Sequence, residues 1–256
     1  MILDSILSAA DLSPDDLVLE IGPGLGALTR SLAEQAGRVV AVEMDEHLAA
    51  TLPARVNHPP NLTVVHGDAR NIDFQTWIGH DNPYKVVANL PYYAANPIIR
   101  RFLESDRQPQ CLVVMVQKEV ARTMLAGPGE MSLLSVATQF YAVPKLVCDV
   151  PPQSFRPPPK VTSSVLRLDL LPRPAVEVED PIAFFDLVRA GFSAPRKQLA
   201  NSLSQGLDAP RAVVGTLLEE LDLDARRRAE TLSLDEWAAV FHGWRELSKV
   251  GAPGLR

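Results

Sequence analysis

Short runs of branched apolar residues recur through the first two-thirds of this sequence, and most are separated by stretches with helical spacing. Leu17–Ile21, Arg38–Glu43, Leu62–His66, 84–89 and 111–116 read as strands. Helical patterns cover 27–35 and 46–55, and a further helix starts at Asn96-Pro97, read as an N-cap with proline at the first helical position, and runs through Ile98, Ile99, Phe102 and Leu103. Strands that are apolar almost throughout must be covered on both faces, and alternation with helices implies parallel pairing through right-handed crossovers. The expected fold is therefore α/β, a doubly wound Rossmann-like sheet. Two later strands, about 145–150 and 161–170, bracket the proline-rich loop 151–159, and Pro172 and Pro174 mark a linker. After it the patterns are all helical, at about 181–192, 196–205, 209–221 and 233–247. Two domains are expected, 1–172 and a small all-helical 173–256.

Glycines follow the first strand in Glu20-Ile-Gly22-Pro-Gly24-Leu-Gly26. In an open α/β sheet, ligands bind beyond the carboxyl ends of the strands, and glycine lets the backbone approach them closely. A plain strand-to-helix turn would use the same residues. A nicotinamide loop would place its third glycine at 27, which is Ala27; alanine is tolerated there, so NAD stays open on spacing alone. Glu20 would repel a pyrophosphate and suits a ligand with a positive centre or an amino group, such as S-adenosylmethionine. Glu43, at the end of the second strand, can accept both hydroxyls of a ribose in either cofactor. Asp45 is its rival, but caps the next helix more naturally. Asp68, in Gly67-Asp68-Ala69 after the third strand, can accept from an adenine amino group or serve as a turn residue.

Asn89-Leu90-Pro91-Tyr92 follows the fourth strand, at the edge of the same crevice. An exocyclic adenine nitrogen is a poor nucleophile, because its lone pair is delocalised into the ring. The Asn89 oxygen and a backbone carbonyl near Leu90–Pro91 can accept its two N–H bonds. Pro91 rigidifies the turn. Tyr92 offers a flat face on which an extruded base can stack and which suits a developing positive charge.

Together these segments resemble the KsgA-type ribosomal RNA adenine dimethyltransferases, relatives of the erythromycin-resistance methylases and mitochondrial transcription factor B proteins. The resemblance also rests on 117–121, on the loop Pro151-Pro152-Gln153-Ser154-Phe155-Arg156-Pro157-Pro158-Pro159-Lys160-Val161 and on Arg228-Ala-Glu230-Thr-Leu232-Ser233. It implies an S-adenosylmethionine methyltransferase sheet that dimethylates N6 of two adjacent adenosines near the 3′ end of small-subunit ribosomal RNA. Cofactor residues would be Glu20, Gly22, Gly24, Gly26, Glu43, Met44, Asp68, Ala69 and Asn89. Asn89, Leu90, Pro91 and Tyr92 would hold the target, with Phe155 as a second aromatic wall; no metal is implied. Family members usually begin with a basic segment carrying Gly-Gln-Asn/His-Phe-Leu, whereas this sequence starts at Met1-Ile2-Leu3-Asp4, where the family's first full helix begins. A ribosome-assembly factor without catalysis and a large-subunit RNA methylase are the alternative readings.

Charge argues against a strongly basic RNA binder. The formal net charge is −6. Residues 1–150 hold 11 Lys/Arg and 17 Asp/Glu, and residues 151–256 hold 14 of each. RNA contacts must therefore come from local clusters: Arg100-Arg101, Arg196-Lys197 and Arg226-Arg227-Arg228. The partner expected is small-subunit ribosomal RNA or the immature subunit. Cys111 and Cys148, far apart, form neither a disulfide framework nor a zinc site, so a reducing cytoplasm is expected. No apolar run has the length of a membrane span and no signal peptide is recognisable at the start. A monomer is expected.

Overall fold

A computed structural model describes residues 2–79 and 82–250. In chain order its elements are α1 (Ile2–Ala10), β1 (Leu17–Ile21), α2 (Ala27–Gln35), β2 (Arg38–Glu43), α3 (Glu46–Arg55), β3 (Leu62–His66), α4 (Gln75–Ile78), β4 (Lys85–Asn89), α5 (Ala95–Leu103), β5 (Cys111–Gln117), α6 (Lys118–Leu125), α7 (Leu133–Tyr141), β6 (Ala142–Val150), β7 (Ser163–Leu170), α8 (Pro181–Phe192), α9 (Leu199–Gly206), α10 (Arg211–Glu220) and α11 (Leu234–Val250). The strands form one sheet in the order β3-β2-β1-β4-β5-β7-β6. Strands β1 to β5 are parallel, as their apolar runs require. The sheet as a whole is mixed, because β7 inserts antiparallel between β5 and β6. The turn at Pro152–Ser154 sends the chain straight back from β6 into β7, so no crossover restores the parallel direction there.

Every residue of β1 is buried, as is all of β2 after Arg38, and in β4 the central Val86, Val87 and Ala88 are buried while Asn89 at its end is exposed. Val18, Val39, Val87 and Val113 pack under Ile6, Leu7 and Ala10 of α1 and Leu28 and Leu32 of α2. Ala41 meets Leu52 of α3 and Val56 just after it. The residues of opposite parity, Val40, Val86, Leu112 and Val114, have no exposed surface, so the second face is covered as well. Strand order reverses between β1 and β4, and a crevice opens there beyond the carboxyl ends of both strands.

The chain divides into two compact units, residues 1–122 with 142–172, and residues 123–141 with 173–256. The boundary near 172 was expected. The assignment of 123–141 to the first domain needs correction: Val136, Ala137 and Phe140 of α7 lie in the core of the helical unit, with Phe184, Val188, Leu218, Trp237 and Phe241. Phe140 stacks on Phe184, centroids 5.2 Å apart, which ties the excursion to α8. The start of α5 also differs from expectation. Ala94, not Asn96, is its N-cap, because the Asn89–Tyr92 turn runs directly into the helix through a bond from Ala94 N–H to the Pro91 carbonyl. Pro97 then falls within the first turn, where a missing N–H costs nothing. Among the described residues no helix is long and apolar enough to cross a membrane.

Candidate active site beyond the carboxyl ends of the strands

The crevice holds a cavity of about 390 Å³, within the roughly 300–1,000 Å³ typical of small-molecule sites. Of the expected residues, Gly22, Glu43, Met44, Asp68, Ala69, Asn89, Leu90, Pro91, Tyr92 and Phe155 line it. Glu20, Gly24 and Gly26 do not.

The glycine turn has a separate structural reason at each position. Gly22, Gly24 and Gly26 all have positive φ, at 68°, 55° and 84°. A Cβ on Gly26 would come within 2.6 Å of Val56 and 2.8 Å of Leu52, so this glycine serves the packing of α3. Gly22 faces the Asn89 carbonyl and brings the first and fourth strand ends together. Glu20 lies beneath the turn, 1% exposed, with Oε2 lacking a hydrogen-bond partner. Burial pushes its carboxyl up to about 8; Thr29 works against that rise and the Glu43 carboxylate adds to it.

Glu43 closes β2. Its Oε2 accepts from Gly24 N–H and its Oε1 from Asp45 N–H, both at 3.0 Å. An ionised carboxylate has about four acceptor positions, so two remain for a ligand in the cavity. Asp45 caps α3, accepting from Leu48 N–H at 2.9 Å, and Glu43 rather than Asp45 lines the cavity. Asp68 is more engaged than the sequence suggested. Its Oδ1 accepts from Arg70 N–H and Nε, and its Oδ2 from Nε and Nη2. These bonds hold its carboxyl below the usual range.

Asn89 ends β4, paired with Met115 of β5. Leu90 N–H donates to the Met115 carbonyl, and the Leu90 side chain is buried, which fixes the turn. Among the described residues no protein group bonds to the Asn89 side-chain amide. The Tyr92 hydroxyl is 2.8 Å from Ser163 Oγ at the buried start of β7. Phe155 reaches the cavity on the short turn Pro152–Ser154, its N–H donating to the Pro152 carbonyl.

Sequence reasoning missed Arg70, Tyr93, Pro157 and Pro159 in the lining, and Ser163 behind it. The doubled aromatic at 92–93 was a visible signal for Tyr93; nothing local announced Ser163, 71 positions from its partner.

The basic clusters separate into distinct environments. Arg101 turns inward, donating to the Ala69 and Ile72 carbonyls and lying over the Phe74 ring at 4.5 Å. Arg100 pairs with Glu104. Arg227 forms a two-point bond to Glu236 and donates to Thr231, which fastens the start of α11. Arg226 pairs with Asp224, and Arg228 lies 3.7 Å from Glu230. Lys197 donates to Gln205, while Arg196 is exposed.

The family described as ribosomal RNA adenine dimethylase matches residues 1–243. This chain belongs to that family. S-adenosylmethionine is the family's cofactor, and adenine in ribosomal RNA its target. A ribosomal RNA small subunit methyltransferase A from Dehalococcoides mccartyi (strain CBDB1) is 45% identical over 236 residues, 92% of this chain and 81% of the relative. A dimethyladenosine transferase from Plasmodium falciparum superposes with a TM-score of 0.79 at 28% identity, covering 98% of this chain and 96% of the other. The 23S rRNA methyltransferase ErmE gives 0.75, also at 28% identity, over 94% and 96%.

Proposed function

We propose that this chain transfers methyl groups to N6 of two adjacent adenosines near the 3′ end of small-subunit ribosomal RNA, two to each base. The supporting observation is the open Asn89 amide in the lining of a cavity that the Glu43 carboxylate also lines, in a chain 45% identical to a small-subunit methyltransferase. The residues present fit S-adenosylmethionine. Glu43 keeps acceptor positions for ribose hydroxyls, Met44 and Ala69 provide apolar walls, and Asp68, which lines the same cavity, is the proposed acceptor for an adenine amino group. For that, Asp68 must loosen its pair with Arg70. The pair is solvent-facing, and such pairs contribute only about 0–1 kcal/mol, so the exchange is cheap.

When bound, the cofactor supplies an electrophilic methyl group on a sulfonium sulfur. Asn89 Oδ1 accepts one N–H of the target amine. The Leu90 carbonyl is the natural second acceptor, since the Pro91 carbonyl already receives Ala94 N–H. Two acceptors draw the nitrogen lone pair out of conjugation. Tyr92 and Phe155 offer faces to the base, and the Ser163 bond fixes the Tyr92 ring. The methylated nitrogen is acidic and releases its proton to water, so no strong base is needed. The arginines of the helical unit are proposed to grip RNA, the protein acting as a monomer in the cytoplasm.

The test is transfer of labelled methyl from S-adenosylmethionine to small ribosomal subunits lacking their adenine methylation, with large subunits in parallel because ErmE shares the fold. Dimethyladenosine near the 3′ end of the small-subunit RNA is expected. Label confined to large subunits would replace the proposed substrate, and normal subunit binding without transfer would leave an assembly factor.

A further inference from the structure

Arg70 is the only basic residue among the described residues that line the cavity, whose walls otherwise carry the carboxylates of Glu43 and Asp68. It stands at the rim with its side chain 43% exposed. Asp68 engages Nε and Nη2 only. A guanidinium has five N–H donors in a rigid fork, so both donors of Nη1 are free for an anion outside the cavity. Tyr93 shares the rim. Tyr92 is tethered inward through its hydroxyl to Ser163, whereas its neighbour Tyr93 is 68% exposed, an unusual position for so large a ring. The Arg70 guanidinium is a permanent cation, and its bonds to Asp68 raise it further above its ordinary value. An exposed ring and a cation with unused donors in the lining of one cavity match one chemical unit, a base with its phosphate, and single-stranded RNA is bound by that combination.

We propose that Tyr93 and Arg70 form a rim subsite for the nucleotide next to the target adenosine, its base stacked on Tyr93 and its phosphate held by Nη1 of Arg70. The inference rests on the RNA methyltransferase reading above. The occupant is RNA rather than a second protein because the subsite is continuous with the target pocket and offers the positive charge that the rest of the lining lacks. With two adjacent adenosines to modify, the subsite holds one while the other is in the pocket.

The experiment compares wild type, Tyr93→Ala, Tyr93→Phe and Arg70→Ala on unmethylated small subunits, measuring KM for the subunit, S-adenosylmethionine affinity and the distribution of dimethyladenosine between the two positions. Tyr93→Ala is expected to raise the subunit KM about tenfold, to leave cofactor affinity unchanged and to unbalance the two positions, while Tyr93→Phe retains wild-type behaviour. Arg70→Ala is expected to lower the slope of log affinity against log salt by about 0.7, one single-strand phosphate contact. Wild-type KM and distribution in Tyr93→Ala would overturn the subsite, as would an Arg70→Ala effect confined to cofactor affinity. Failure of the wild-type chain itself to methylate subunits would instead strike the functional reading, so the two failures are distinguishable.

Discussion

At the scale of single residues, the site sets two carboxyl groups under different conditions. Glu43 is bound by two backbone N–H groups, whereas Glu20 is buried with one oxygen unpartnered. The folded chain keeps a proton on Glu20 to about pH 8, well above the ordinary 4.5 to which it returns on unfolding. Between those values the folded state binds the extra proton, so this group makes stability fall as pH rises, by roughly 1.4 kcal/mol per pH unit at most. Glu20→Gln cannot titrate and should lack that component: urea unfolding at pH 5.5 and pH 8 is expected to show wild type losing more stability than the variant. Parallel losses would mean that Glu20 is ionised in the fold. Asn89 makes the opposite kind of prediction, since its proposed role is on the target and not on the fold. Asn89→Ala should lower kcat by about a hundredfold or more through lost positioning, with S-adenosylmethionine affinity measured by calorimetry nearly unchanged. Wild-type turnover in that variant would remove Asn89 from the proposed role.

At the scale of elements, the β4 turn and the start of β7 are joined by the Tyr92–Ser163 bond. Ser163 is fully buried and this is the bond that satisfies its hydroxyl. Tyr92→Phe leaves that hydroxyl unpaired, which costs about 1–3 kcal/mol, while Tyr92→Phe with Ser163→Ala removes both partners and should recover part of the loss. Additive losses in thermal unfolding of the two single variants and the double would show that the bond contributes nothing. The example also explains what the sequence could reveal. Strands β1 to β5 were legible because each is an apolar run closed by turn residues, and the glycine, Glu43 and Asn89 segments were legible because each stands at such a run's carboxyl end, where the fold collects ligand-binding groups. The antiparallel direction of β7, a strand otherwise expected at 161–170, the transfer of α7 to the helical unit and the Ser163 tether were not, because each depends on pairing between distant segments that leaves no local period. Arg101 misled for the same reason: two adjacent arginines look like one basic patch until Phe74 and the Ala69 and Ile72 carbonyls claim one of them.

At the scale of the whole molecule, a chain of net charge −6 has to bind a polyanion, which makes the number of free cations matter more than the number of cations. Arg227 is committed to Glu236 and Thr231, with its side chain 29% exposed. Arg196 is exposed and has no protein partner among the described residues. The two arginines therefore predict opposite phenotypes. Arg227→Ala should destabilise the helical unit by about 1–2 kcal/mol, the range for hydrogen bonds to charged groups reduced by partial solvent screening, with little direct change in RNA affinity once the fold is intact. Arg196→Ala should leave the melting temperature unchanged and reduce the slope of log RNA affinity against log salt by about 0.7–0.9, the signature of one lost phosphate contact. Filter binding across a salt series, read beside thermal unfolding, separates these outcomes. An unchanged salt slope in Arg196→Ala would move the RNA grip elsewhere. A slope change in Arg227→Ala at unchanged stability would mean that its pairing with Glu236 gives way when RNA binds, and that the acidic balance of the chain conceals more usable positive charge than the free arginines suggest.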